Sequence, residues 1–506
     1  MNADPEQLLR LRTARSRSEQ EIDLESALSE VLASPGAGVP TDGRSPFRRD
    51  RDRLLYSTAF ARLSGVTQVI TPSPSGLQTH NRLTHSLKVG QLARTIAEHI
   101  IVSAEDHVLA PYGGVDADVA EAAAYAHDIG HPPFGHIGEE VLDEVGREWG
   151  LVGFEGNAQS FRIVTRLEQH ALDETRGLDL TSATLAAILK YPWIRSDHDD
   201  RFPLARDSTD LPLYELRKKK FCSYETPSER TGKHPDTDFA RALELIPKDK
   251  FGRPLQAPEA SIMDIADDIT YAMHDLEDFY RSRIITGSAV SAAANSWLRR
   301  HEEKKRTRVR DDGDVIAALY QKLEREYPTR FRRELLDVAV EAVANTVETA
   351  MKEPFDGSPS KVSTVRALVS ATITKSIGNL EVGQSPTTPL ALVRLGDGDW
   401  HFIEVIKALT RHFVIARPNM ASVQRGQRKL LSGLVHLVDD WRRDEAKNRL
   451  PQTLSEYIDN ALQESDSALA PRRAVLDYVA SLSDHQAIEL HRVLRGGLVD
   501  LAGGFV

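Results

Sequence analysis

Two adjacent prolines close behind an alanine-rich helical run constrain this chain more than any other feature. In VDADVAEAAAYAHDIG (115–130), acids open a helix near Asp116, and Gly130 with Pro132 and Pro133 ends it. The stretch AHDIGHPPFGHIGEE (126–140) therefore sets His127 and Asp128 at a helix end, where adjacent side chains can straddle one point. The prolines then redirect the backbone so that His131 and His136 can return towards it. Three histidines fall within ten residues, where 17 in a chain of 506 would give roughly 0.3 by chance. Neutral imidazole and carboxylate together suit a divalent first-row metal. Two ligands do not complete a site. His85 in RLTHSL and Asp267 in IADDITY are candidates for the rest, with Asp268 the rival to Asp267. Of the other His-Asp pairs, His198-Asp199 lies in the polar run SDHDDR and reads as loop, and His274-Asp275 follows Asp267 in the same helical run.

The rest of the chain predicts an all-α protein. Aromatic residues are 6% of the chain while Ala, Leu, Glu and Arg abound, and 41% hydrophobic residues suffice for a packed core. Residues 1–50 read as a partly flexible lead-in, and 51–290 as the helical core. Residues 195–255, which include the basic run 217–220, read as a charged excursion rather than core. Residues 291–506 read as helices for packing or assembly. Residues 64–81 break the pattern with β-branched and turn residues, as a hairpin or loop would. RLTHSLKVGQLARTIAEHI is helical, with Leu83, Leu87, Leu92, Ile96 and Ile100 as its apolar positions. EASIMDIADDITYAMHDLEDFYRSRII is the longest patterned helix, and RRHEEKKRTRVRDDGD reads as a solvated segment. A formal charge of −11 argues against broad coating of DNA and requires a local cationic pocket for any polyanion. Cys222 is the only cysteine, so neither an intrachain disulfide nor a Cys-rich zinc site can form. Without a signal-like or membrane-length apolar run, the expected location is cytoplasmic.

The order H…HD…D around HDIGHPPFGHIGE resembles the HD-domain deoxynucleoside triphosphate triphosphohydrolases, the dGTPase-like family. RLTHSL, FEGNAQSFRI, LKYP and ADDITYAMHDLED extend the likeness in the same order, over residues 51–285. One departure is Ala61 in FARL (60–63), where a second basic residue is expected.

The resemblance implies His85, His127, Asp128 and Asp267 as ligands of one divalent ion, with Mg²⁺, Mn²⁺ and Co²⁺ not separable from the letters. With Asp267 as the ligand, Tyr271 and Asp275 follow at +4 and +8 on one helical face. Tyr271 would then pack beneath a deoxyribose and Asp275 accept from its 3′-hydroxyl, with Gln68 beside it. Arg82, Lys190 and Tyr191 would contact phosphates, and His131 would help hold the α-phosphate. His136, oriented by Glu139, would act at the reacting phosphoryl as general acid or as nucleophile. The implied substrate is a dNTP cleaved to deoxynucleoside and inorganic triphosphate. The implied assembly is a homo-oligomer, a hexamer among the options, with room for a dNTP activator. Two alternatives stay open: another HD phosphohydrolase, such as a nucleoside 5′-monophosphatase or a guanosine-tetraphosphate hydrolase, and a non-catalytic nucleotide sensor or single-stranded nucleic-acid binder.

Overall fold

The computed structural model describes residues 5–15, 43–68, 81–169, 177–195, 219–225, 237–249, 252–303, 314–383, 391–414, 418–465 and 467–497. Its first half runs α1 Pro5–Thr13, α2 Pro46–Leu55, α3 Thr58–Arg62, α4 Arg82–Ser103, α5 Asp106–Leu109, α6 Ala117–Ala126, α7 His136–Glu148, α8 Gly156–Arg162, α9 Ser182–Ile188, α10 Thr237–Glu244 and α11 Pro258–Arg281. The second half runs α12 Gly287–Glu303, α13 Val315–Glu326, α14 Arg333–Met351 and α15 Pro359–Gly378. Strands β1 Leu380–Val382 and β2 Val393–Leu395 come next, then α16 Asp397–Val414, α17 Pro418–Asp444, α18 Gln452–Glu464, α19 Ala470–Ala480 and α20 Asp484–Leu494. The fold is all-α. Its one described sheet is the antiparallel pair β1–β2, in register Leu380↔Leu395 and Val382↔Val393. No helix among the described residues is long and apolar enough to cross a membrane.

Capping explains where the central helices begin. Asn81 caps α4 by accepting from the Thr84 amide, and Asp116 caps α6 by accepting from Asp118 and Val119. Helices α4, α6 and α11 pack on one another around Val89, Ala93, Ile96, Ala123, Ile262, Ala266 and Ile269, all fully buried. A second core joins α7 to α17, α19 and α20 through Leu142, Leu434, Val438, Leu476 and Val479.

Three expectations need correction. The inward stripe of α4 runs through His85, Val89, Leu92, Ala93 and Ile96, and Leu87 points outward, 40% exposed. The first turn of that stripe is polar because it carries Arg82 and His85. Of residues 195–255, read as an excursion rather than core, 196–218, 226–236 and 250–251 lie outside the described residues, and the described stretches bury Phe221, Cys222, Phe239, Ala242 and Ile246. A helical period also begins earlier than Arg51, at Pro46, behind the Ser45 cap. In the expected lead-in, Arg12 of α1 is buried and pairs with Glu259 at the start of α11 (2.6 Å). Most of the 64–81 break and the segment 304–313 lie outside the described residues. The base of the break is closed by an isolated antiparallel bridge, Thr67↔Asn81.

The turn after α6 packs directly on the start of α8. A Cβ on Gly130 would lie 2.1 Å from the Gly156 carbonyl oxygen and 2.2 Å from the Ser160 nitrogen. Both are backbone atoms that cannot step aside cheaply. Gly130→Ala is therefore expected to destabilise the protein by about 2 kcal/mol or more, read as a lowered urea midpoint. An unchanged midpoint would show that the turn and α8 are not so tightly opposed.

Candidate active site

Four elements bring the site together. The first turn of α4 supplies Arg82 and His85, the end of α6 supplies His127 and Asp128, the turn behind it supplies His131, and α11 supplies Asp267. His85 Nε2 lies 3.1 Å from Asp267 Oδ1, and His127 Nε2 lies 3.6 Å from both Asp267 Oδ1 and Asp128 Oδ1. Nδ1 of His127 is 2.6 Å from the Ala124 carbonyl oxygen, so Nδ1 carries the proton and Nε2 presents its lone pair. That buried Nε2 has no hydrogen-bond partner. Neutral imidazole nitrogens facing carboxylate oxygens are the donor set a divalent first-row cation takes, and the residues present fit such an ion.

Asp128 is also held from the other side. Its Oδ2 accepts from Arg82 Nη1 (2.7 Å), and its Oδ1 lies 3.0 Å from His131 Nδ1. Burial alone would push both Asp128 and Asp267 towards protonation. The Arg82 guanidinium reverses this for Asp128, and the Lys190 ammonium reverses it for Asp267. Burial and the nearby Arg82 depress His131 to about 4, so its ring is neutral. Asp268, the rival to Asp267, instead pairs with Lys407 of α16 at 2.9 Å.

A second convergent group stands alongside. His136, His131 and Glu139 can bring ligand atoms within 4.8 Å of one another, as can His85, His127 and Asp267. Its chemistry differs. His136 Nδ1 is 3.1 Å from Glu139 Oε2, and the ammonium of Lys220 lies 2.9 Å from Glu139 Oε1. An imidazole hydrogen-bonded to a carboxylate in this way can hold and move a proton.

The remaining expected residues flank these two clusters. Lys190 Nζ is 2.6 Å from Asp264 and 3.4 Å from Asp267, and Tyr191 is half-buried beside it. Tyr271, half-buried, shares a hydrogen bond with the buried Asp275 one turn on. Burial, reinforced by Asp278, pushes Asp275 well above the usual carboxylate range. A neutral carboxyl can both accept from and donate to a sugar hydroxyl. The Oε1 of Gln68 is buried without a partner.

Sequence reasoning missed several supports. Arg62 Nη2 donates to the carbonyls of Ile129 (2.6 Å) and His131 (2.9 Å), bracing the turn between the prolines and α6. Asp484, at the start of α20, accepts from the Phe134 amide (2.8 Å) and the Thr67 amide (3.1 Å). The far end of the chain thus holds the turn that carries His136. Glu155 caps α8 and, with Glu139, binds Lys220. Only Glu155 had a signal to follow, an acid immediately before a helix start in FEGNAQ.

This combination of helical scaffold and His/His-Asp/Asp set defines a phosphohydrolase of the HD class. The HD domain family matches residues 82–272, and the phosphohydrolase-associated domain matches 398–493. HD domains are metal-dependent hydrolases, in keeping with the donor set. The chain is 30% identical over 483 residues to the deoxyguanosinetriphosphate triphosphohydrolase-like protein of Corynebacterium efficiens, covering 92% of this chain and 94% of that one. The protein of the same name from Bifidobacterium longum is 29% identical over 471 residues, covering 89% and 83%. That from Streptomyces coelicolor is 37% identical over 244 residues, 47% of each chain. The chain belongs to the family of deoxyguanosinetriphosphate triphosphohydrolase-like proteins.

Proposed function

We propose that this protein hydrolyses deoxynucleoside triphosphates at the α-phosphorus, releasing deoxynucleoside and inorganic triphosphate. The observation that carries the reading is one helical face of α11. Asp267 meets His85 and His127 there, and Tyr271 and Asp275 follow one and two turns further along. His85, His127, Asp128 and Asp267 would hold a divalent cation, which when bound supplies Lewis-acid charge to a phosphoryl oxygen.

The chain's own residues do the rest. Arg82 and His131, both against Asp128, are placed to take the α-phosphate, and Lys190 with Tyr191 the phosphates beyond it. Water attacks the α-phosphorus, the bond to the 5′-oxygen breaks, and a proton reaches that oxygen from His136 Nε2. Glu139 accepts the Nδ1 hydrogen of His136 and so leaves Nε2 as the nitrogen that gives the proton. Tyr271 closes the space a 2′-hydroxyl would need, and Asp275 with Gln68 takes the 3′-hydroxyl. A buried carboxyl dedicated to a sugar hydroxyl discriminates strongly, because a substrate without that group leaves it unpaired.

The test is a panel of every dNTP and NTP, singly and in pairs, with Mg²⁺, Mn²⁺ or Co²⁺, scoring tripolyphosphate by ion chromatography. Tripolyphosphate with matching deoxynucleoside supports the reading; orthophosphate or pyrophosphate as the released product contradicts it. Pairs of nucleotides also reveal whether one dNTP activates hydrolysis of another. Tyr271→Ala is expected to lower the ratio of deoxy to ribo turnover by about 10-fold or more. An unchanged ratio would remove Tyr271 from sugar selection.

A further inference from the structure

Lys220 stands in a basic run that no functional motif claims, yet its ammonium lies between two buried carboxylates. Nζ is 2.9 Å from Glu139 Oε1 and 2.9 Å from Glu155 Oε1. Glu139 Oε1 also accepts from the Gly156 amide (3.2 Å), while Oε2 serves His136. Glu155 Oε2 accepts from the amides of Asn157 (2.6 Å) and Ala158 (3.1 Å) at the start of α8. The backbone of the same segment grips the 190–194 stretch. The Lys220 carbonyl accepts from Trp193 Nε1 (2.7 Å), the Cys222 amide donates to the Trp193 carbonyl (3.1 Å), and Ile194 bridges Ser223 in parallel.

We propose that Lys220 is a positioning residue for the His136–Glu139 pair. Bridging Glu139 to Glu155, it ties the carboxylate that orients the imidazole to the start of α8. The catalytic half of this inference rests on the reading that His136 delivers the proton. The physical need is direct. The His136 side chain is 67% exposed, so packing does little to orient it and its Nδ1 bond to Glu139 does most of that work. Glu139 in turn is buried opposite a second carboxylate, and two such groups do not both stay ionised without a cation between them. Removing the ammonium leaves Glu139 to share a proton with Glu155 or to turn away. The first weakens the bond that orients the imidazole, and the second breaks it.

In the full chain, Lys220→Met is expected to lower kcat for dNTP hydrolysis by about 10- to 100-fold, with KM and bound metal little changed. Lys220→Arg should recover most of that loss. In a Glu139→Gln background the same Lys220→Met change should cost less than about twofold, since the pair it serves is already uncoupled. An equal loss in both backgrounds, or no loss in the first, overturns the proposal. Should Lys220→Met fail to fold, Lys220→Gln is read in the same two backgrounds. A crystal structure of whichever variant folds needs no substrate, and is expected to show His136 and Glu139 out of hydrogen-bond range. Their contact intact there would overturn the positioning role even if the wild-type protein proved inactive on dNTPs.

Discussion

Replacing His127 by alanine is expected to strip the protein of its divalent ion and to cut turnover by at least about 10³-fold. His127 occupies the middle of the proposed ligand set, with Nε2 3.6 Å from a carboxylate oxygen on either side. Its tautomer is fixed by the Ala124 carbonyl, so no neighbouring nitrogen can take over the same lone-pair direction. What stays behind is His85 and two carboxylates already engaged by Arg82 and Lys190, whose positive charges oppose a cation once the central imidazole is gone. Asp128→Ala should act the same way and also frees Arg82 from its partner. Elemental analysis of the purified variant together with tripolyphosphate release checks both halves. A variant that keeps full turnover would undo the ligand assignment.

His136→Ala is expected to separate chemistry from metal binding. The metal content should match wild type, while kcat falls by about 10²-fold or more, the usual contribution of a positioned general acid. The reason is spatial. His136 is bonded to Glu139 on α7, and its ring meets His131 at 5.4 Å between centroids, whereas the ligand group lies on α4, α6 and α11. Single-turnover kinetics alongside the metal assay decides the matter. Loss of the ion in this variant would mean that the His131/His136/Glu139 group holds it instead.

Residues of distinctive chemistry were legible in the letters; their supports were not. His127 and Asp128 announced themselves because a diproline must end a helix, and few other patterns crowd three histidines into ten residues. Asp267 was preferred to Asp268 on register and on the family likeness, and in the fold Asp268 pairs with Lys407. Lys220 was hidden because a lysine in a basic run reads as a solvated charge. Its place between the two carboxylates follows from Ile194 pairing with Ser223, a contact between segments about thirty residues apart that periodicity does not encode. Arg62 and Asp484 were hidden for the same reason, since both act on backbone groups of a turn far away in sequence. The outward face of Leu87 has a more instructive cause. The inward stripe of α4 was read from its apolar residues, and its first turn had been given over to Arg82 and His85. Strands β1 and β2, three residues each, are too short for a period of two to show.

The proposed chemistry requires one cation lying where α4, the end of α6 and α11 meet. Anomalous diffraction at the manganese edge, from crystals grown with Mn²⁺ and a non-hydrolysable dNTP analogue, locates it without reference to activity. The expected result is a single strong peak in coordination contact with His85, His127, Asp128 and Asp267, with the α-phosphate of the analogue beside it. A peak among His131, His136 and Glu139, or none at either place, would contradict it.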